Sequence, residues 1–134
     1  MSKLVFEIYS SNSRSRLLFF LLIALLGGAS VSKSIGIFSH KIREIELAIG
    51  GAIYLHMVGA FTLGALAFLS SSRQTTFGIS RNSFIVLCLI VLDESLQFHF
   101  PNRQFSWLDM TVNVCAVLSG NYFVWLISKV RPCN

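Results

Sequence analysis

The chain has 134 residues, 54% of them hydrophobic and only 13% charged, with a mean hydropathy of +0.68 and a formal net charge of +5. Soluble domains average about 25% charged residues, so this composition excludes disorder and a nucleic-acid-binding tail and argues against a water-soluble globule. A membrane helix needs about 20 residues, and this length holds four spans with short loops and no separate soluble domain.

Residues 1–16 read as a cytoplasmic or interfacial N-terminal arm, apolar at Leu4, Val5, Phe6, Ile8 and Tyr9, then Ser-rich with Arg14 and Arg16. The first span is predicted at 17–37. The same segment also fits a signal peptide, because two Arg precede the apolar run and Gly27-Gly28-Ala29 resembles a small-residue cleavage site. Residues 38–46 (FSHKIREIE) read as a polar loop. The second span is predicted at 47–69, with His56 its one ionisable residue. Residues 70–82 form a second polar loop. The third apolar run, Phe84 to Leu92, crosses a bilayer only if Asp93, Glu94 and Gln97 lie inside the span, predicted at 83–100. The turn FPNRQFS follows, and the last span is predicted at 107–127, closed by Lys129, Arg131 and Pro132. The fold class is therefore all-α, a four-helix transmembrane bundle with short loops.

Four spans place both termini and the middle loop on one side of the membrane. That side carries Lys3, Arg14, Arg16, Arg73, Arg81, Lys129 and Arg131, against Lys33, Lys41, Arg43 and Arg103 on the other. The positive-inside rule then puts both termini in the cytoplasm. Cys88, Cys115 and Cys133 are odd in number and widely spaced, so the sequence encodes neither a disulfide framework nor a zinc site. Cys88 and Cys115 read as inert thiols at different depths, with no disulfide between them.

Helical geometry of 100° per residue assigns faces. In the last span Asp109, Asn113, Ala116 and Gly120 fall within about 60° of one another, while Trp107 and Trp125 fall opposite, about 27 Å apart along the helix. The tryptophans read as interfacial anchors facing lipid, so the polar stripe must face the bundle. In the third span Asp93, Gln97 and Glu94 share one broad face, with His99 turned away. In the second, His56 shares a face with Ala52, Ala60, Leu63, Gly64 and Ala67, whose small side chains permit close helix approach. The predicted topology puts His56, Asp93, Glu94, Gln97, Asp109 and Asn113 in the outer half of the membrane. A buried charge there costs about 2.5–3.5 kcal/mol on the insertion scale, so these groups are expected to pair with one another or to have a use.

At these residues the sequence resembles the VanZ-like family of small bacterial membrane proteins. The segment LDESLQFHFPNRQFSWLDMTVNV at 92–114 fits the family pattern D-E-x-x-Q-x-x-x-P-x-R, then Asp, then Asn four residues later. HMVGAFTLG at 56–64 supplies His, Leu and Gly at the family spacing. The sequence departs from the pattern at Ala60, where an aromatic is usual, at Ile53 and Tyr54, where a basic residue precedes the His, and at Ala116, where Gly is usual. The resemblance implies a four-helix domain over residues 17–131, in a family whose founding member is linked to resistance to the glycopeptide teicoplanin.

Each candidate has two readings. Asp109 completes a capping box with Ser106 or joins a polar site. Asp93 and Glu94 pair with Arg103 or handle protons or a head group. Gln97 and Asn113 bridge helices or line a site. Arg103 anchors at the interface or holds a phosphate or carboxylate. His56 is an interior hydrogen-bonded residue or an acid/base. His40 and His99 read as interfacial.

The leading expectation is a protein of the bacterial cytoplasmic (inner) membrane and cell envelope. It would bind a membrane lipid or a lipid-linked cell-wall precursor by its polar head, using His56, Asp93, Glu94, Gln97, Arg103, Asp109 and Asn113. The alternative is a membrane-embedded acid/base enzyme using His56, Asp93 or Glu94, though no Ser or Cys stands as a clear nucleophile. A structural subunit or a transporter is a further reading. No metal, haem or other cofactor is expected, since a second inward His is missing, and no nucleic-acid partner is expected.

Overall fold

The computed structural model describes residues 12–71, 78–100 and 105–130, all of it built from helices and their connections. In chain order these are α1 (Asn12–Ile35), α2 (Ser39–Ala48), α3 (Ala52–Ser70), α4 (Arg81–Leu96), a 3-10 turn over Gln97–His99, and α5 (Trp107–Val130). Four segments are long and apolar enough to cross a membrane: Ser13–Ile35, Ala52–Ser70, Arg81–His99 and Trp107–Lys129. Helices are the required form, because lipid offers no partner to a free backbone N–H or C=O. The same constraint carries α1 through Gly27 and Gly28, which would weaken a helix in water.

The boundaries differ from the sequence expectation most in three places; in addition α4 begins at Arg81 rather than 83, and α5 runs on to Val130 rather than 127. The first span begins near Asn12 rather than at 17 and ends at Ile35 rather than 37. The second begins at Ala52, not 47, because Gly50 (φ 102°) and Gly51 (φ 125°) adopt backbone conformations that favour glycine and break the helix. The charged run 38–46, expected as a polar loop, is helical from Ser39 onward, as part of α2, with Phe38 its N-cap. Its Ile42, Ile45 and Ile49 recur at helical spacing. Of this stretch Glu46 is buried and Ile42 half-buried, while His40, Lys41, Arg43, Glu44, Ile45 and Ile49 stay exposed.

Two helices form the seam of the bundle. Ala60, Gly64 and Ala67 of α3 meet Ala116, Val117 and Gly120 of α5. A methyl group built on Gly64 would lie 2.8 Å from the carbonyl carbon and Cα of Val117. One built on Gly120 would lie 3.0 Å from Ala65 N and from the carbonyl carbon of Phe61. The two backbones therefore touch, reciprocally, through small residues four apart on each helix, which is how membrane helices gain dispersion contact without a hydrophobic drive between them. Phe19 of α1 and Val86 of α4 complete the core around this seam. Most other large apolar side chains point outward, as in a bundle solvated by lipid; Phe20, Leu25, Phe84 and Leu108 are all more than half exposed.

Trp107 faces outward as expected, 71% exposed. Trp125 does not simply face lipid. It is half-buried, stacked beside Tyr122 (5.2 Å), with Lys129 Nζ 4.1 Å from its ring. A cation over an indole face is an attractive pairing, and it positions the ring against Gly78. Cys88 and Cys115 are free and outward-facing; Cys133 lies outside the described residues.

Candidate functional site

Four helices bring polar side chains to one end of the bundle. The C-terminal turns of α1 and α4 and the N-terminal halves of α3 and α5 meet there, because the chain runs antiparallel from span to span. Asp93 of α4 turns toward α1, where Ser30 Oγ donates to both carboxylate oxygens at 2.8 and 2.7 Å. Gln97 Nε2 spans the two acids, 3.4 Å from Asp93 Oδ2 and 3.1 Å from Glu94 Oε2. Glu94, only 2% exposed, turns the other way and accepts the backbone N–H of Ser106 at 3.4 Å. The adjacent acids thus serve different neighbours: Asp93 faces α1 and Glu94 the start of α5.

Ser106 caps α5, accepting Asp109 N–H at 3.2 Å. The cap anticipated from the sequence is present in this half. The amide of Ser106, which a closed capping box would direct to the Asp109 carboxylate, goes to Glu94 instead. Asp109 itself is half-buried at the first turn.

Asn113, buried at 8% exposure, places Nδ2 3.4 Å from Nδ1 of His56. When Asn113 donates to Nδ1, the neutral imidazole carries its proton on Nε2. The contact ties α3 to α5 one turn beyond the small-residue seam. His40 and His99 are both exposed, and His40 lies 3.4 Å from Glu44.

His56, Asp93 and Asn113 line one cleft of about 480 Å³ between α1, α3 and α4. Its walls are otherwise apolar, from Ile23 and Leu26 on α1 to Leu63 on α3 and Leu89 on α4. Gly27 opens it, since nothing lies within 4 Å of a methyl group built there. Two polar wall residues were not among the sequence candidates: Ser30 and Lys33 of α1. Ser30 looks like a small residue in an apolar run, and Lys33 like a loop charge. Their spacing of three, one helical turn, is the signal that puts both on one face. Lys33 forms an ion pair with the buried Glu46 of α2. Arg103, expected to close the mouth of the site or to pair with Asp93, lies outside the described residues.

The opposite end holds a second polar cluster that the sequence reading missed. Asn121 Oδ1 accepts Ser80 N–H (3.2 Å) and Ser83 Oγ–H (2.7 Å), and Asn121 Nδ2 donates to Gly78 O (2.8 Å). Ser80 is the N-cap of α4, accepting Ser83 N–H at 3.0 Å. Ser80, Ser83 and Asn121 are essentially inaccessible. A neighbouring hollow of about 360 Å³ is edged by Gly78, Tyr122 and Trp125. The Asn121 amide there is occupied with holding the chain entry into α4 against α5, so the cluster reads as a structural clamp.

No cluster of three His, Cys, Asp or Glu residues with metal-binding geometry occurs among the described residues. Comparison with family models, with curated proteins and with solved structures finds no match to this chain.

Proposed function

We propose that this protein is a VanZ-like membrane protein of the bacterial cell envelope that binds a polar lipid, or a lipid-linked wall precursor, by its head group in the outer half of the bundle. One observation carries the reading: the largely apolar cleft ends at a small set of polar groups, Ser30, His56, Asp93 and Asn113, supplied by all four spans. An amphiphile has the same two-part chemistry, an apolar tail and a polar head, and ligand sites of this kind combine apolar walls with a few fixed polar groups. Asp93 in a span is expensive unless it has a use. The excess of Lys and Arg on the side of the termini supports the outward placement. The motif at 92–114 supports the family and, through it, a part in glycopeptide tolerance.

Native mass spectrometry of the gently purified protein tests this directly. The wild type is expected to retain lipid, and Gly27→Leu, which fills the open wall of the cleft, to lose it while staying folded. Equal lipid retention by the two proteins would refute the cleft as the binding site.

The acid/base reading draws on one fact, that His56 and Asp93 line the same cleft. It requires turnover of an envelope lipid by the purified protein, abolished in Asp93→Asn.

A further inference from the structure

The charges of the cleft narrow what its head-group end accepts. Asp93 is held by Ser30 Oγ and Gln97 Nε2, both neutral donors, and no ion pair to Asp93 occurs among the described residues. Lys33 lines the same wall, but its charge is already matched by Glu46. His56 and Asn113 are occupied with each other. Among the described residues the wall therefore presents one charge without an opposite charge beside it, and it is negative. A carboxylate offers about four lone-pair positions, so acceptor capacity remains after Ser30 and Gln97 have bonded.

The dimensions favour a lipid of a single leaflet. Along α1 the cleft runs from Ile23 to Lys33, ten residues or about 15 Å of rise, half of a hydrocarbon core of about 30 Å. Its polar groups lie at the end nearer the helix termini and its apolar ones toward the middle.

We propose that the cleft takes a phospholipid whose head ends in a primary ammonium, and that Asp93 accepts that ammonium. This assignment rests on the lipid-binding reading above and adds the head-group class. An ammonium brings an opposite charge and three donors to the carboxylate. A net-negative head brings a like charge into a medium where repulsion is poorly screened. A trimethylammonium head keeps the charge but has no N–H to donate.

The test is competition for the purified full-length protein among phosphatidylethanolamine, phosphatidylcholine and phosphatidylglycerol of matched chains, read by native mass spectrometry. The expected order in the wild type is ethanolamine, then choline, then glycerol, with about tenfold between first and last, equivalent to about 1.4 kcal/mol. Asp93→Asn is expected to bring the first and last to near parity while total lipid retention persists. Retention of phosphatidylglycerol equal to or above phosphatidylethanolamine in the wild type overturns the head-group assignment, and this arm needs no variant to fold. A tenfold ethanolamine preference that survives in Asp93→Asn overturns the role of Asp93. If the retained lipid is anionic and is lost in Gly27→Leu, the cleft reading stands and only the head-group class fails. If wild type and Gly27→Leu retain the same lipid to the same extent, the cleft reading itself fails, and the assignment with it.

Discussion

Replacing Gly64 by alanine adds one methyl at the point where α3 and α5 touch. That methyl would stand 2.8 Å from two backbone atoms of Val117 and closer still to its carbonyl oxygen. Ordinary carbon contacts are about 3.5–4.0 Å, so the helices must separate by about 1 Å. No side chain can rotate away to make room, because the obstacle is backbone. Overpacking of this kind costs about 1–3 kcal/mol, offset by up to about 1 kcal/mol from the better helix propensity of alanine. The expected net loss for Gly64→Ala is about 1–2 kcal/mol. Gly59→Ala, five residues earlier on α3, is the control: its methyl meets only the Leu26 side chain, at 3.4 and 3.5 Å, so it should be neutral or slightly stabilising. Gly120→Ala strains the same crossing, and one separation relieves both, so the double variant should lose less than the sum of the single losses. Equilibrium unfolding in mixed micelles titrated with SDS, followed by fluorescence of Trp107 and Trp125, measures all four variants against wild type. A Gly64→Ala variant as stable as wild type, or a Gly59→Ala loss as large as that of Gly64→Ala, refutes backbone contact as the basis of the seam.

Asn121→Ala should lower stability by about 2–3 kcal/mol, because it leaves two donors and a carbonyl without their partner in a dry site and a net hydrogen bond is worth about 1 kcal/mol; the same SDS titration reads it, and a loss below about 0.5 kcal/mol would show the cluster to be incidental. Lys33→Met should loosen α2 by leaving the buried Glu46 unpaired, seen as faster amide exchange across 40–48, whereas Lys33→Met with Glu46→Met should restore much of the protection, since an apolar pair can replace a partly buried ion pair. If exchange in the two variants is equal, the pair is not what docks α2. A C-terminal alkaline phosphatase fusion should be inactive and a fusion in the FPNRQFS turn active; the reverse pattern would move the cleft to the inner leaflet.

Much of this arrangement is legible in the sequence. Apolar length gives the four spans, and the 100° increment gives the two small-residue faces that become the α3–α5 seam, with Gly64 and Gly120 at its centre. It also directs His56 and Asn113 toward each other. What escaped is instructive in physical terms. Gly50-Gly51 hides inside an apolar stretch, so hydropathy runs through a break that only backbone conformation reveals. Helix α2 hides in charge density, because its observed tie to the bundle is the Lys33–Glu46 ion pair and not an apolar face. Ser30 was invisible because a serine in a membrane helix ordinarily satisfies itself on its own backbone, and nothing local says that this hydroxyl reaches across to Asp93. Asn121 lies about 80° from the Asn113 direction on the wheel, off the stripe that drew the eye, and its partners come from a turn whose path periodicity does not describe.

The spans differ in how they are held, and this bears on how a ligand enters. α3 and α5 share backbone contact at the Gly64 and Gly120 crossing and a hydrogen bond at His56–Asn113, and Asn121 clamps the entry of α4 onto α5. α1 has no such crossing. Its most apolar stretch is 11% buried, against 28% for α3 and for α5. It meets α3 where Leu26 lies over Gly59, α4 through Ser30–Asp93, and α2 through Lys33–Glu46. All of these are side-chain contacts, two of them polar and at one end, and the cleft lies along the same face. On the proposed reading, a lipid entering sideways from the bilayer would displace contacts of α1 and leave the α3–α5 seam intact. The same division explains why the polar groups that would read a head group are carried partly by the rigid pair, in His56 and Asn113, and partly by the contact of α1 with α4, in Ser30 and Asp93. On the proposed reading, an ammonium on the remaining lone pairs of Asp93 would sit beside the Ser30 tie, so one carboxylate would both hold α1 to α4 and read the head group.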